Sequence, residues 1–416
     1  MEELPLLIED YPSGKLPLRI ALVTETYPPE INGVAMTLGR MIEGLRARGH
    51  FIQLVRPRQS RADAPTTADT LAQELTRGMP IPSYPGLKMG LPAKRILARL
   101  WREQRPDLVH VATEGPLGWS AIAAARLLKL PVSSDFHTKF DHYSRHYGFA
   151  WLKRPITAYL RKFHNSTDLT LVPTESLRQE LLRQAYQNIE VLARGVDSQL
   201  YHPERRSEAL RANWGMYDGD LAVINVGRMA AEKNLPLVIR AFAAIRARVP
   251  RARLIFVGDG PERARLQQAH PEHVYCGMQS GEDLARHYAS ADLFLFPSLT
   301  ETFGNVTLEA LASGLCVVAY RHAAAAELIR DGDNGVLADA GDESGFIAAA
   351  LSTAAADPDT FARMRSLAVA SIADHDWEHI HDKFARILGQ IVCNRVRMHQ
   401  AEKGVILAEA TAMNPR

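Results

Sequence analysis

Short apolar runs alternate along the chain with longer segments in which apolar residues recur at every third or fourth position. Runs of the first kind indicate buried parallel strands, and segments of the second kind indicate amphipathic helices. The alternation stops near the middle of the chain and then starts again, which predicts two α/β domains with doubly wound sheets. The predicted strands are 19–24, 51–55, 107–111, 132–136, 169–172 and 190–192 in the first half, and 222–226, 254–257, 292–296 and 316–320 in the second.

Helices and polar segments separate these strands. The predicted helices are 35–48, 116–129, 235–248, 342–373 and 377–399. Residues 58–78 are polar and are predicted to be rich in loops, and residues 198–214 suit a linker. We therefore assign residues 1–197 to a first domain and residues 198–376 to a second domain.

Composition is that of an ordinary soluble protein, with 46% hydrophobic and 23% charged residues and a formal net charge of +2. Such a small net charge gives no indication of nucleic-acid binding, so any basic surface must be local. Cys276 and Cys316 lie in apolar, strand-like runs, which predicts buried free thiols in a reducing cytoplasm. No apolar run reaches the length of a transmembrane helix, and the N-terminus lacks the pattern of a signal peptide.

The strongest candidate site lies where the strand that ends at Phe296 passes into the next helix. Asn305 is the expected N-cap of this helix, because its side chain can accept a hydrogen bond from a free backbone amide. The backbone at Thr302, Phe303 and Gly304 then lies next to a helix N-terminus. Free amides and the helix dipole favour an anion there, such as a diphosphate.

Two carboxylates flank this turn. Glu301 precedes it, and Glu309 lies one turn inside the helix. Carboxylates beside a phosphate are better suited to accept hydrogen bonds from hydroxyl groups than to hold the phosphate itself. We expect one to bind a sugar and the other a ribose, although a strand, a loop and a helix with two acids also occur as ordinary structure.

Two cations follow the first strand of the second half. Gly227 ends that strand, and Arg228 and Lys233 come next in the chain. Cations at the carboxyl end of a buried strand suit a diphosphate leaving group, which arginine can bind with two parallel hydrogen bonds. In the first half, Asn32 and Gly33 occupy a similar turn between a strand and a helix, which indicates either a second anion-binding loop or an ordinary connection between a strand and a helix.

Together these motifs resemble the retaining glycosyltransferases of family 4, which have the GT-B architecture. The specific elements are Glu301-x7-Glu309 with Phe-Gly after the first Glu, the Gly-Arg…Lys pair, and Arg-Gly-Val-Asp at 194–197, which matches a domain-crossing motif. The resemblance extends from Arg19 to about Ile391. It implies two Rossmann-like domains that face each other across a cleft, with the C-terminal helix, 377–416, crossing back to the first domain.

The resemblance also implies residue roles. His137 would lie beside the transferred sugar, the loop at Asn32 and Gly33 would face the donor diphosphate, and the turn from Gly258 to Glu262 would lie near the nucleobase. The catalytic candidates are Arg228, Lys233, His137 and Glu301. The candidates for donor binding are Gly33, Asn32, Gly227, Gly258, Glu262, Thr302, Phe303, Gly304, Asn305 and Glu309.

One segment departs from the family pattern. Residues 321–329 contain His322 and four alanines where many members have a turn rich in glycine. The resemblance therefore implies less about the nucleobase than about the diphosphate.

The acceptor is indicated by a few features of the first half. The run from Tyr143 to Tyr147 resembles the subset of the family that glycosylates lipids, such as the sulfoquinovosyl and mannosyl transferases acting on glycerolipids. Two basic amphipathic segments, 88–105 with Trp101 and 151–164 with Trp151, suit an anionic membrane surface. They also suit surface helices that pack on the sheet.

The expected function is therefore transfer of a hexose, with retention, from a GDP-mannose or UDP-glucose type donor to a lipid such as diacylglycerol or a glycosylated glycerolipid. Alternatives are a soluble or polysaccharide acceptor, or a nucleotide-sugar epimerase of the same architecture. The nucleotide sugar is a co-substrate, and we expect no cofactor. We also expect no metal, because the Asp-x-Asp triplets, such as Asp357 with Asp359, suit turns and caps.

Overall fold

Two sheets, one in each half of the chain, organise the fold. The computed structural model describes residues 17–28, 30, 33–60, 62–80, 88–137 and 153–412. The first sheet contains β1 (Arg19–Val23), β2 (Phe51–Pro57), β3 (Thr67–Ala68), β4 (Leu71–Thr76), β7 (Leu108–Val111), β8 (Val132–Asp135), β9 (Leu169–Val172) and β10 (Ile189–Val191). Its strand order is β10-β9-β8-β7-β1-β2-β4-β3, and its pairs are parallel except β3 with β4. A separate antiparallel pair contains β5 (Gly78–Pro80) and β6 (Lys88–Gly90).

The second sheet is parallel throughout. It contains β11 (Ala222–Val226), β12 (Arg253–Val257), β13 (Val274–Tyr275), β14 (Leu293–Phe296), β15 (Cys316–Tyr320) and β16 (Val336–Ala338). Its order, β13-β12-β11-β14-β15-β16, is that of a Rossmann sheet, in which the direction of winding reverses between the first and fourth strands. Here the reversal falls between β11 and β14.

Helices cover both sheets. Those of the first half are α1 (Gly33–Ala47), α2 (Lys94–Glu103), α3 (Pro116–Leu127), α4 (Lys153–His164) and α5 (Glu175–Arg183). Those that follow are α6 (Glu208–Asn213), α7 (Leu235–Arg248), α8 (Arg263–Ala269), α9 (Gly281–Ser290), α10 (Asn305–Ala312), α11 (Ala323–Leu328), α12 (Glu343–Ala354), α13 (Pro358–Ala370) and α14 (Trp377–Ala412). Single 3-10 turns occur at Pro203–Arg205, Ala231–Lys233 and Ala373–His375.

The prediction of a loop-rich region at 58–78 is wrong in part, because β4 lies within it. Strand β4 runs parallel to β2, from Ile52 opposite Leu71 to Pro57 opposite Thr76. Its sequence lacks the unbroken apolar run of a central strand, and its middle residues are only half-buried. The segment is a strand because it pairs with β2.

The prediction of a linker at 198–214 is also wrong in part. Helix α6 lies within it, and Arg211 of that helix is buried with its Nη1 atom 3.0 Å from Oδ2 of Asp292. Trp214 joins the core of the second sheet. The chain therefore crosses between the sheets after β10 and before β11, and the domain boundary after Asp197 stays a prediction within that interval.

Helix α14 packs on the first sheet although it follows the second in sequence. Its buried residues Phe384 and Leu388 share a core with Ile20 of β1 and Met41 of α1. The last helix thus contributes to the core of the first sheet.

Several smaller predictions are confirmed. All three cysteines are free and Cys316 is buried, as predicted, but the prediction that Cys276 is buried is wrong because that residue is half-buried. Asp357 caps α13 by accepting a hydrogen bond from the amide of Thr360, 3.0 Å away. In the parts of the chain that the structure describes, no helix combines the length and the apolar character needed to cross a bilayer.

Candidate active site

The candidate site lies at the reversal point of the second sheet. Strands β11 and β14 are neighbours there, with Val223 opposite Leu293 and Ile224 opposite Phe294. The connections after these two strands leave toward opposite sides of the sheet, which opens a crevice at the carboxyl ends. Arg228 and Lys233 follow β11, and the loop with Glu301 follows β14. The structure thus brings the predicted cations and the predicted acid to one crevice.

Lys233 and Glu301 form an ion pair in this crevice. The Lys233 ammonium contacts Oε1 of Glu301, which also accepts a hydrogen bond from the Ser298 hydroxyl at 2.8 Å. The Lys233 ammonium also lies 5.7 Å from the centre of the Phe296 ring. The carboxylate therefore fixes the lysine beside the end of β14 and offsets its charge when no anion is bound.

Arg228 is the more accessible cation. Its side chain is 50% exposed, and its Nη1 atom lies 3.8 Å from Oε1 of Glu232. An ion pair this long and this exposed contributes little to stability. The guanidinium is therefore accessible to an anionic ligand.

The turn before α10 differs from the prediction in one detail. Gly304, and not Asn305, is the N-cap, with φ +92° and no side-chain cap. A left-handed cap suits glycine, and it starts the helix at Asn305. Phe303 is buried in the core, and the Thr302 hydroxyl donates to the carbonyl oxygen of His137 at 2.9 Å. That hydrogen bond joins the crevice to the carboxyl end of the first sheet.

Glu309 lies inside α10 against two tyrosines. The Tyr288 hydroxyl donates to its Oε2 atom at 2.8 Å, and the Tyr288 ring lies 5.8 Å from that of Tyr201. Burial raises the pKa of Glu309 to about 7, and the hydrogen bond from Tyr288 offsets only part of this effect. This carboxyl group therefore changes its protonation state near neutral pH.

Gly227 and Gly258 lie where two loops approach each other closely. A Cβ atom on Gly258 would lie 2.0 Å from the carbonyl oxygen of Gly227, so only glycine fits at 258. This contact explains Gly258 without any ligand. Glu262 is the N-cap of α8 and pairs with Arg265.

In the first half, Gly33 begins α1, and a Cβ atom there would meet no atom within 4 Å. Open space therefore lies beside Gly33. Asn32 and the run from Tyr143 to Tyr147 lie outside the described residues.

His137 is held by Asp135, which the sequence analysis did not select, and by Arg194, which it assigned to the domain-crossing motif. Its Nδ1 atom lies 2.7 Å from Nη2 of Arg194, and its Nε2 atom lies 3.2 Å from Oδ2 of Asp135. All three residues are buried. The available signal for Asp135 was its position as an acidic residue at the end of a predicted strand.

Glu25 is a second residue that the sequence analysis missed. It follows β1, and its Oε1 atom lies 3.4 Å from the amide of Leu117 at the start of α3. Burial raises its pKa to about 7, and the amide contact offsets part of this rise. Strands β1 and β7 flank the reversal point of the first sheet. Glu25 therefore lies in the first sheet at the position that corresponds to the crevice of the second sheet.

The segment that departs from the family pattern packs on the loop with Glu301. The His322 ring donates from Nε2 to the carbonyl oxygen of Glu301 at 3.1 Å. The backbone amide of Ala324 donates to the carbonyl oxygen of Phe303 at 2.8 Å. Ala323 has φ +51°, a left-handed conformation that normally favours glycine. The segment thus keeps a turn of that kind without glycine.

The basic segment on α2 is amphipathic, but its tryptophan faces inward. Trp101 is fully buried and donates from Nε1 to the side-chain oxygen of Gln53 at 2.8 Å. The prediction of Trp101 as an interfacial anchor is therefore wrong, because its ring packs in the core of the first sheet. The exposed residues of α2 are Lys94, Arg95, Ile96, Arg99, Arg102 and the acidic Glu103. In the other segment, Trp151 lies outside the described residues, and Arg154, Arg161 and Lys162 are exposed.

A group with ligand atoms close enough for a metal ion occurs away from the crevice. His270, Glu272 and His273 lie just before β13, at the amino-terminal end of the second sheet. Among the described residues, this is the only such group of three or more. The absence of a metal from the donor site stays a prediction.

Both halves of the chain match models of known glycosyltransferase families. The model of the family described as "Glycosyltransferase Family 4" matches residues 31–200, and the model described as "Glycosyl transferases group 1" matches residues 220–356. A GDP-mannose-dependent alpha-mannosyltransferase of Corynebacterium glutamicum is 34% identical over 87% of this chain and 86% of its own length.

Further relatives differ in the sugar that their names specify. The sulfoquinovosyl transferase SQD2 of Arabidopsis thaliana is 32% identical over 81% of this chain and 66% of its own length. An alpha-monoglucosyldiacylglycerol synthase of Streptococcus pneumoniae is 30% identical over 76% of this chain and 74% of its own length. In structure, Anabaena Alr3699/HepE, solved in complex with UDP, has a TM-score of 0.71 at 19% identity, over 90% of this chain and all of that one.

Proposed function

This chain belongs to glycosyltransferase family 4 and is a hexosyltransferase of the GT-B architecture, and from this we propose that it transfers a hexose, with retention, from a nucleotide sugar to a glycerolipid. The donor is of the GDP-mannose or UDP-glucose type. The acceptor is diacylglycerol or a glycosylated glycerolipid. Residues 198–376 form the donor domain, and residues 1–197 with the helix from Trp377 form the acceptor domain.

One observation carries this proposal, namely the convergence of Lys233 and Glu301 at the reversal point of the second sheet. Arg228 and the N-terminus of α10 border the same crevice. A diphosphate bound there meets two cations and free helix amides, and its negative charge grows as the bond to the sugar breaks. Arg228, Lys233 and the amides near Gly304 stabilise that charge where it develops.

Glu301 and Glu309 bind different parts of the donor, the sugar and the ribose. Glu301 already holds Lys233, so a sugar hydroxyl that donates to Glu301 binds beside the cation that stabilises the leaving group. Glu309 lies deeper, between Tyr288 and the start of α10, and accepts hydrogen bonds from the ribose. A diphosphate between these carboxylates therefore has a sugar on one side and a ribose on the other.

Retention follows if the acceptor attacks from the face that the diphosphate leaves. Breaking of the anomeric bond gives oxocarbenium character to the sugar, and the departing phosphate oxygen takes the proton of the acceptor hydroxyl. The product is then an α-linkage. No carboxylate nucleophile is needed on the opposite face.

The names of the relatives support the choice of donor. Three of them are named GDP-mannose-dependent alpha-mannosyltransferases, at 33% to 35% identity. We therefore place GDP-mannose first and UDP-glucose second.

The lipid acceptor is supported by a relative and by charge. One relative is named for a product that contains diacylglycerol. On this chain, the basic face of α2 exposes four cations, which attract an anionic membrane surface. Glu25, at the reversal point of the first sheet, can accept a hydrogen bond from an acceptor hydroxyl. We place the enzyme peripherally on the cytoplasmic face of the cell membrane.

Product analysis tests the proposal directly. The purified protein is incubated with GDP-mannose or UDP-glucose and with vesicles that contain diacylglycerol or a glycosylated diacylglycerol, and the anomeric configuration of the product is read by NMR. We expect an α-linked glycolipid. Transfer to a soluble sugar or polysaccharide instead would refute the lipid acceptor, a β-linked product would refute retention, and conversion of the donor without acceptor would indicate an epimerase.

A further inference from the structure

His137 lies in a buried cluster that includes residues of strands β7 and β8 and of the domain crossing. Asp135, the last residue of β8, has its Oδ2 atom 3.2 Å from Nε2 of His137 and 3.4 Å from Nε2 of His110. Nδ1 of His137 lies 2.7 Å from Nη2 of Arg194. The other ring nitrogen of His110 lies 2.9 Å from the Ser133 hydroxyl. Both ring nitrogens of His137 therefore have protein neighbours.

The contact with Arg194 fixes the position of the His137 proton. A guanidinium only donates hydrogen bonds, so Nδ1 of His137 must accept and cannot carry a proton. In the neutral ring the proton then lies on Nε2, which is 3.2 Å from Oδ2 of Asp135. A second proton, on Nδ1, would place two donors 2.7 Å apart.

Charge balance favours the same state. Asp135 and Arg194 are 3% and 7% exposed, and their opposite charges offset each other. Burial lowers the pKa of Arg194, and the Asp135 carboxylate acts against this shift, so the guanidinium keeps its charge. With a single proton on its ring, His137 adds no net charge to this balanced pair.

Arg194 is itself held at the point where the chain crosses between the sheets. A Cβ atom on the next residue, Gly195, would lie 2.6 Å from the ring of Trp377, and the amide of Val196 donates to the carbonyl oxygen of His375 at 2.8 Å. The carbonyl oxygen of His137 meanwhile accepts from the Thr302 hydroxyl. His137 is thus held by the crossing segment on one side and by the donor crevice on the other.

We propose that Arg194 is a positioning residue that holds His137 as the neutral tautomer with its proton on Nε2, and so prevents the imidazole from taking the acceptor proton. The proposal rests on the proposed function, in which that proton goes to the departing phosphate oxygen. Arg194 acts through His137 and does not touch the substrates. His137 then serves the reaction by its fixed position.

The tautomer can be observed by NMR. The protein is labelled with 15N-histidine, the His137 ring is assigned with the His137→Asn variant, and spectra are recorded at about neutral pH. We expect Nδ1 to be unprotonated and Nε2 to carry the proton. A proton on Nδ1, or a doubly protonated ring, in the wild-type enzyme would overturn the proposal.

Two variants test the role of Arg194. Arg194→Met removes the donor, so we expect the His137 ring to gain a proton on Nδ1 or to exchange between tautomers, with a fall in kcat larger than any change in the KM for the donor. Arg194→Lys keeps a charged donor, and we expect it to restore the wild-type ring signals in part. An unchanged ring in Arg194→Met would overturn the proposal.

Two further outcomes also decide whether Arg194 has this role. If Arg194→Met does not fold, the wild-type spectrum and Arg194→Lys decide the question alone. Glycosyl transfer is measured on the same samples. A wild-type enzyme that makes the α-linked product while His137 is protonated on Nδ1 would refute the role of Arg194 and leave the proposed function intact.

Discussion

Lys233 and Glu301 follow neighbouring strands of the second sheet, and the ammonium of the first contacts the carboxylate of the second at the carboxyl ends of those strands. The two residues are 68 positions apart in the chain. The pair therefore defines the crevice, and its response to mutation tests the catalytic assignment.

Loss of either cation should slow the reaction. We expect Lys233→Ala and Arg228→Ala to lower kcat by about 10²-fold or more, because each removes a fixed charge from the developing diphosphate. Folding should be retained, since Arg228 lies on a loop and Lys233 is the last residue of a single 3-10 turn. The matched control is Arg240→Ala, whose exposed guanidinium on α7 pairs with Glu343. Near-normal turnover of both crevice variants would remove these residues from the mechanism.

Substitution of Glu309 and substitution of Glu301 should affect the binding of different parts of the donor. Glu309→Gln should weaken binding of the nucleoside diphosphate alone, because a ribose-facing carboxylate becomes an amide, whereas Glu301→Gln should mainly affect the sugar. Isothermal calorimetry with GDP and UDP, and then with the nucleotide sugars, separates the two effects. Tyr288→Phe, which removes only the hydrogen bond to Glu309, is the control for a disturbed helix. An equal loss of nucleotide affinity in both variants would contradict the assignment.

Nucleotide affinity should depend on pH through Glu309. Its pKa is raised to about 7 by burial, and ribose hydroxyls donate to the ionised form, so binding releases a proton. Affinity should therefore rise with pH, by up to about tenfold between about pH 6 and about pH 8. Calorimetry in buffers of different ionisation enthalpy measures the released proton.

The Glu309→Gln variant is the control for this pH dependence. The phosphate of the nucleotide also ionises in this range, and its contribution appears in both proteins. Only the difference between their pH profiles belongs to Glu309. Parallel profiles would show that the carboxylate does not face the ribose.

Activity should be complete in EDTA. Lys233, Arg228 and the helix amides supply the positive charge that a metal ion would otherwise bring to the diphosphate. Turnover is measured with and without EDTA, and with added magnesium or manganese. The double variant His270→Ala and His273→Ala, which removes two potential ligands far from the crevice, shows whether any metal effect arises there. A strict requirement for metal in that variant as well would refute the prediction.

The basic face of α2 should bind anionic vesicles. Each exposed cation near such a surface contributes about 1 kcal/mol, although Arg99 already pairs with Glu103 at 3.1 Å and should contribute less. The protein should co-sediment with anionic vesicles and be released at high salt, which reduces the screening length below ~8–10 Å. Replacement of Lys94, Arg95, Arg99 and Arg102 by Ser should reduce both sedimentation and transfer to lipid.

The control for this experiment removes the same charge from the second half. Four arginines that are exposed there are each replaced by Ser, namely Arg240, Arg246, Arg248 and Arg265. This variant should sediment like the wild type. An equal effect of both sets would mean that net charge, and not the face of α2, governs attachment.

Sequence alone was sufficient for the central elements of the fold. Strands β11 and β15 and helix α7 lie at the residues predicted for them. A parallel strand with helices on both faces needs a nearly continuous apolar run, and this local requirement is visible in the sequence. The loops that carry Arg228, Lys233 and Glu301 could be located for the same reason, because each begins where such a run ends.

Tertiary structure decided the partners of the polar groups. Strand β4 forms because β2 offers it a hydrogen-bonding edge, and Trp101 is buried because the first sheet has room for its ring. The bond from Thr302 to His137 and the contact of Arg194 with the same histidine join residues from separate parts of the chain. Such contacts depend on the order of the strands and on how the chain crosses between the sheets. A local pattern does not contain this information, because the same apolar run fits any position in a buried sheet.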